Sequence, residues 1–319
     1  MKATPPAYGR PGEGASVGES PRGSHRMIYW LHRIVAPLCQ WVPLRFSYSV
    51  AAFIGWIAFF LFPDKRANAI RNMSRVLGPD ARPRQVRRLA HRAFVNYAKY
   101  LVDMMRLPDI GPAELERRVT VNGWENLVEA IDEGDGLIFV GGHIGNSDLA
   151  AAVLAGRGFP VHVIAEQLHP PRWDALVQAA RTAVGLRVIP LGSSALRLLR
   201  VLRQKEILAF LIDRPVEDQG VTVRFFGRTT TVPAGAAALA LRSNARILGA
   251  YIVRSGNEYI AHISPAIRPP LTGDMPADLQ ALTQALFDWL EGIIKQYPDQ
   301  WFMFRPMWPA AGDRVTGNI

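Results

Sequence analysis

The segment Gly136–Ala150 (GLIFVGGHIGNSDLA) carries an imidazole, His143, five residues ahead of a carboxylate, Asp148. An apolar run precedes the pair, and Gly141 and Gly142 separate that run from the imidazole. A neutral histidine held in one tautomer by a carboxylate is a general base, because its other ring nitrogen can take a proton from a hydroxyl. The spacing by itself is a weak signal: seven histidines and 27 acidic residues in 319 positions give roughly 0.6 chance matches. His169 and Asp174 (HPPRWD) repeat it, but two prolines stiffen the chain between them, and Asp174 falls in the first turns of an expected helix, where a carboxylate is favoured for structural reasons. His143 differs in following a buried-strand pattern among small residues. On spacing and context alone, a base and a structural turn histidine are equally open readings.

The elements that must position this pair can be read from periodicity. Runs apolar on both faces fall at 136–140, 161–165, 186–190, 207–212, 246–253 and 259–263. Helical segments near 147–155, 171–184 and 194–203 separate the early ones, and later helices cover 233–243 and 275–297. This alternation predicts an α/β fold: a mostly parallel sheet flanked on both faces by helices. Ligands in such sheets bind beyond the C-terminal strand ends, which is where His143 sits. Asp213 and Arg214 end the 207–212 run and reach the same edge, with a local ion pair as their bland alternative. In Phe225–Arg228 (FFGR), Gly227 could let backbone approach a substrate and Arg228 could contact phosphate; a plain β-turn explains the same residues almost as well. Phe225 and Phe226 are read as core or groove lining, and His162 and His262 as satisfied strand residues.

Composition bounds the rest. Lys and Arg total 37 against 27 acids, a net charge of +10 with a pI near 10.2, which favours an anionic partner. One cysteine, Cys39, excludes a disulfide framework and a cysteine-ligated metal cluster. Residues 1–26, rich in Pro, Gly and Ser, are expected to be a disordered tail and lack a signal-peptide pattern. Residues 27–62 are expected to form apolar membrane-associating helices. Within them Phe46–Phe62 runs 17 residues without a charge, the short limit of a bilayer span, with a buried core helix as the alternative. A basic helical segment follows at 63–118; between Asp64 and Arg106 it holds 11 Lys or Arg and three Asp, suited to anionic lipid. An α/β domain then covers 119–308, with 27–308 forming one compact unit and 309–319 a tail. Nucleic acid is not an expected partner, since no binding motif accompanies the charge.

With these residues in hand, Gly142–Leu149 (GHIGNSDL) resembles the His-x4-Asp/Glu box of the glycerolipid acyltransferase superfamily. More narrowly, it is similar to the bacterial lipid A late acyltransferases (lauroyl/myristoyl transferases) and the related mycobacterial phosphatidylinositol mannoside acyltransferases. Ser147 stands where that box usually has Trp. Residues 208–254 resemble the family's Asp-containing strand end, Phe-Phe-Gly block, Pro-Gly/Ala-rich helix and following strand, in that order, and 298–308 (PDQWFMFRPMW) is similar to its Pro-Glu-Gln-Trp ending. The likeness covers roughly residues 27–308.

The resemblance implies a membrane-associated O-acyltransferase moving a fatty acyl group from acyl-CoA or acyl-acyl carrier protein to a hydroxyl of a lipid or glycolipid. His143 is then the base and Asp148 its orienting group, with no bound cofactor, no metal and no covalent acyl-enzyme. It places Glu166 and Arg181 along the active-site groove, where Arg181 pairs with phosphate or lies on a helix surface. Membrane lipids are the implied partners, the protein acts as a monomer, and the catalytic domain lies on the cytoplasmic side of the inner membrane. Alternatives are a phosphatidylinositol mannoside or lysophospholipid acceptor in place of lipid A, and a non-catalytic membrane-surface lipid-binding protein that retains the fold. A serine hydrolase and a nucleotide-binding enzyme are disfavoured, because no Gly-x-Ser-x-Gly, Gly-x-Gly-x-x-Gly or Walker sequence is present.

Overall fold

The computed structural model describes residues 35–133, 136–216, 220–243, 245–269 and 272–308. The expected tails at 1–26 and 309–319 lie outside these residues. A seven-stranded sheet organises the chain. Its strands are β1 (Val119–Asn122), β2 (Leu137–Gly141), β3 (Val161–Ala165), β4 (Arg187–Pro190), β5 (Ile207–Leu211), β8 (Arg246–Ser255) and β9 (Glu258–Ala266), in the order β1-β9-β8-β2-β5-β3-β4. All neighbours run parallel except β8 and β9, an antiparallel pair turning through Gly256. The mostly parallel, helix-flanked sheet expected from the alternating pattern is therefore present. Residues of β2 are buried along its whole length, as a central strand covered on both faces requires.

Three strands escaped the periodicity reading, the four-residue β1 and the two of a hairpin. β6 (Val221–Phe225) and β7 (Arg228–Val232) form a separate hairpin, closed by Phe226 and Gly227, both at positive φ. Its residues alternate buried and exposed, and polar Thr and Arg fill the outward positions, so no continuous apolar run marks it.

Helices cover the sheet: α4 (Pro112–Arg118), α5 (Trp124–Glu133), α6 (Ser147–Gly156), α7 (Pro171–Ala183), α8 (Ala195–Arg203), α9 (Gly235–Ser243) and α10 (Met275–Gln296). Ahead of them stand α1 (Leu44–Leu61), α2 (Pro63–Leu77) and α3 (Pro83–Arg106), the last two opened by prolines at their first turn, where a missing N–H costs nothing.

The apolar helix α1 packs antiparallel along α3 rather than standing alone. Ser47, Tyr48, Ala51, Gly55 and Phe59 form its buried stripe, and a Cβ at Gly55 would stand 2.7 Å from the Phe94 carbonyl oxygen, so only glycine lets the helices approach this closely. A buried polar knot ties the pair to the sheet. Asp103, fully buried, accepts hydrogen bonds from Tyr48 (2.7 Å), Tyr259 (2.6 Å) and Arg118 (2.7 Å). The opposite face of α1 is exposed and apolar: Phe46, Val50, Phe53, Ile54, Phe60 and Leu61. Among the described residues, α1 is the one helix long and apolar enough to cross a membrane.

Candidate active site

β2 and β5 are adjacent parallel strands with Gly141 opposite Leu211, so His143 and Asp213 lie two residues past the same rung. The chain brings them together although 70 positions separate them. The Asp213 Oδ1 atom lies 2.6 Å from His143 Nδ1, and its Oδ2 accepts the His143 backbone N–H at 2.8 Å and the Trp301 indole N–H at 2.9 Å. Asp213 is wholly buried. Burial alone would raise its pKa, but the His143 and Trp301 bonds hold the carboxyl below the usual range and keep it ionised. An ionised acceptor at Nδ1 places the imidazole proton there and leaves Nε2 with its lone pair. Burial also lowers the His143 pKa; Arg214 and Arg305 push the same way against Asp213, and the ring is neutral at pH 7. With 23% of its side chain exposed, the imidazole can be reached from outside.

This geometry corrects the expected pairing. Asp148 does not orient His143. It lies in the first turn of α6, behind the Asn146 cap, and its oxygens accept from Arg181 Nε (2.7 Å) and the Tyr100 hydroxyl (3.2 Å). The turn through Gly145 aims the carboxylate at α7 and α3 instead of back at the ring. Arg181 is likewise paired with Asp148, through its Nε at 2.7 Å. Asp174 behaves as the proline argument anticipates: it accepts from the Leu168 N–H and Gln178 at the start of α7.

Two glycines make the His143 loop possible. Gly145 sits at φ +60°, and a Cβ there would fall 1.9 Å from the Ile252 carbonyl oxygen. A Cβ on Gly142 would press on Asp213 Oδ2 and the Leu290 methyl, at 3.1 and 3.0 Å. The loop is then stitched to the segment after α10: Gly145 N–H donates to Gln300 O (2.9 Å), Phe302 N–H donates to His143 O (2.8 Å), and Ile144 bridges Trp301.

Glu166 follows β3 directly and accepts from both Arg305 guanidinium Nη atoms, at 3.3 and 3.2 Å, while also pairing with Arg214. Asp213, Arg214 and Glu166 therefore do meet His143 at one strand edge. Gly227 and Arg228 do not join them. They sit at the tip of the β6–β7 hairpin, where Gly227 (φ +72°) serves the turn with open space around it and Arg228 is exposed. The hairpin reaches the site through Phe226, whose ring stacks on Trp301, and Phe225 is core.

Trp301, Arg305 and Tyr100 belong to the site and were not singled out from sequence. The 298–308 block was visible as a motif, but its meeting with His143 depends on tertiary threading that no local pattern encodes. An apolar cavity of about 530 Å³ opens roughly one helical turn along α3 from Tyr100, lined by Trp41, Met104, Met105, Leu176, Ala179 and Ala180 among others.

The strand-end imidazole and its buried carboxylate suit proton abstraction from an alcohol. Comparison with known proteins gives this a class. The family model for bacterial lipid A biosynthesis acyltransferases matches residues 18–309. The chain belongs to that family and is an acyltransferase acting on a lipid acceptor, which sets aside the non-catalytic lipid-carrier alternative. It is also similar to phosphatidylinositol mannoside acyltransferases. The protein of Mycolicibacterium smegmatis is 29% identical over 246 residues, covering 75% of this chain and 78% of the relative. That of Mycobacterium tuberculosis is 29% identical over 248 residues, covering 75% and 76%.

Proposed function

We propose that this chain transfers a fatty acyl group from an acyl thioester, carried by coenzyme A or acyl carrier protein, to a hydroxyl of a membrane glycolipid, with His143 as general base and Asp213 as its orienting group. The observation that carries the reading is the Asp213–His143 contact, which commits Nδ1 and leaves Nε2 for the substrate. The acceptor oxygen attacks the thioester carbonyl while Nε2 takes its proton. The tetrahedral intermediate then collapses, the C–S bond breaks, and the thiolate recovers that proton from the imidazolium, so acid and base are the same residue. Asp213 supports the transient imidazolium, as a buried carboxylate does in other histidine-based sites. The cavity of about 530 Å³ lies within the range of ligand pockets and takes a hydrocarbon chain.

Two features support a chain that lies on its membrane rather than through it. α1 has 18 residues, about 27 Å at 1.5 Å each, and would just match a hydrocarbon core. It is packed along α3, however, whose Arg84, Arg87, Arg88 and Arg92 are exposed, and a crossing would carry them into hydrocarbon. With the outward face of α1 sunk in the interface, those arginines remain at anionic headgroups. The catalytic edge works as a monomer on the cytoplasmic side of the inner membrane. The relatives' names favour a mannosylated phosphoinositide as acceptor over a lipid A precursor.

The test supplies labelled acyl-CoA or acyl carrier protein with a total membrane lipid extract and identifies the product by mass. Acylated glycolipid is the expected outcome with the parent chain, and His143→Ala should reduce it by about 10²–10⁴-fold. A folded His143→Ala variant working at the parent rate would falsify the mechanism.

A further inference from the structure

Two guanidiniums close on one carboxylate beside His143. Glu166 is held by Arg305 through two bonds and by Arg214 through a third. Arg214 is itself pushed down to about 10 by burial and by Arg305. Asp213 lies beside them, but its two oxygens are spent on His143 and Trp301. The Arg305 side chain is only 11% exposed, and its Nε is buried without a hydrogen-bond partner among the described residues. Two partly desolvated guanidiniums that share one carboxylate can take an anion of higher charge in its place. Guanidinium forks bind a planar carboxylate and a phosphate with the same two-pronged geometry.

We infer that Glu166 is a stand-in for a substrate phosphate: it holds Arg214 and Arg305 as a phosphate would, and yields them to a phosphate group when substrate enters. Glu166 is then a displaceable counter-ion rather than a group that touches substrate. A phosphate seated there would fix its carrier within reach of the imidazole, since both arginines are near enough to bear on the His143 pKa. The inference rests on the acyl-transfer reading only for which molecule brings the phosphate: the thioester donor, through its phosphorylated carrier, or the acceptor, through its headgroup.

Calorimetric titration of the full chain in neutral detergent micelles separates these sources, using inorganic phosphate, coenzyme A and glycerophosphoinositol as probes. Arg214→Gln and Arg305→Gln should each weaken phosphate binding by about tenfold, the loss expected for one charge-assisted contact, and Arg305→Lys should recover part of it. Glu166→Gln should act in the opposite direction and tighten binding severalfold, because the internal competitor has lost its charge. The organic probe that reproduces this pattern of opposite signs identifies the carrier. With variants that melt as the parent does, Glu166→Gln leaving phosphate affinity unchanged or weaker would overturn the inference, as would arginine variants that bind normally. Binding is read without turnover, so a chain that binds phosphate in this way but transfers no acyl group refutes the acyl-transfer reading and leaves the phosphate seat standing.

Discussion

The two acids nearest the chemistry hold different jobs, and that difference is measurable. Asp213 touches the imidazole and Asp148 does not, so Asp213→Asn should lower kcat by orders of magnitude, as losing the group that fixes a catalytic tautomer does. Asp148→Asn should act mainly on stability, because it leaves the buried Arg181 charge poorly paired; about 1–3 kcal/mol is the usual cost. Steady-state kinetics and thermal melts on the same two proteins distinguish them. The pH profile makes a second claim. A general base at His143, as proposed, works only when neutral, so activity should be lost as pH falls through its pKa. Because that pKa is depressed, the acid limb of kcat/KM should lie below the ordinary histidine value of about 6.5. Removing a cation at Arg305→Gln should move the limb upward, since the guanidinium disfavours imidazolium. The imidazole itself was legible from sequence, through its strand-end glycines. Its carboxylate partner was not assignable, because the local His-x4-Asp spacing offered an obvious candidate and the true contact runs across two strands. Asp213 was visible only as a polar residue at a second strand end; pairing the two required knowing that β2 and β5 are neighbours.

Strands and helices were more readable than the contacts among them. Buried parallel strands announce themselves as unbroken apolar runs, and the six expected ones correspond to strands. β1 is four residues long, and β6 and β7 carry polar outward faces, so each lacked the signal. The Gly145 turn is the element on which the site's geometry leans hardest. Gly145→Ala should cost at least about 2 kcal/mol and lower the melting temperature, since it meets both an unfavourable φ and the Ile252 carbonyl. The Tyr48–Asp103 bond makes a parallel claim for α1. Tyr48→Phe withdraws one donor from a buried carboxylate and should destabilise by about 1–3 kcal/mol in a denaturant titration. A change confined to detachment of α1, with the sheet's unfolding unaltered, would show that the knot does not couple the two.

Across the molecule, charge and apolar surface are arranged on the N-terminal helices. α1 turns Phe53 (63% exposed) and Leu61 (67% exposed) outward beside the arginines of α3. Replacing Phe53 and Phe60 by Ser should reduce sedimentation with anionic vesicles by about tenfold or more, given about 1.5–3 kcal/mol for each buried aromatic side chain. Net charge and the apolar run pointed to this surface from sequence. That α1 would share its length with a basic helix depends on Gly55 and the Asp103 knot, whose partners are distant in the chain. The threading of residues 300–305 has a consequence for biosynthesis. Trp301 and Arg305 are translated only after α10, yet one clamps Asp213 and the other grips Glu166. A polypeptide that stops after α10 therefore lacks both of these grips, and should be translated yet inert toward the acyl pool of the cell.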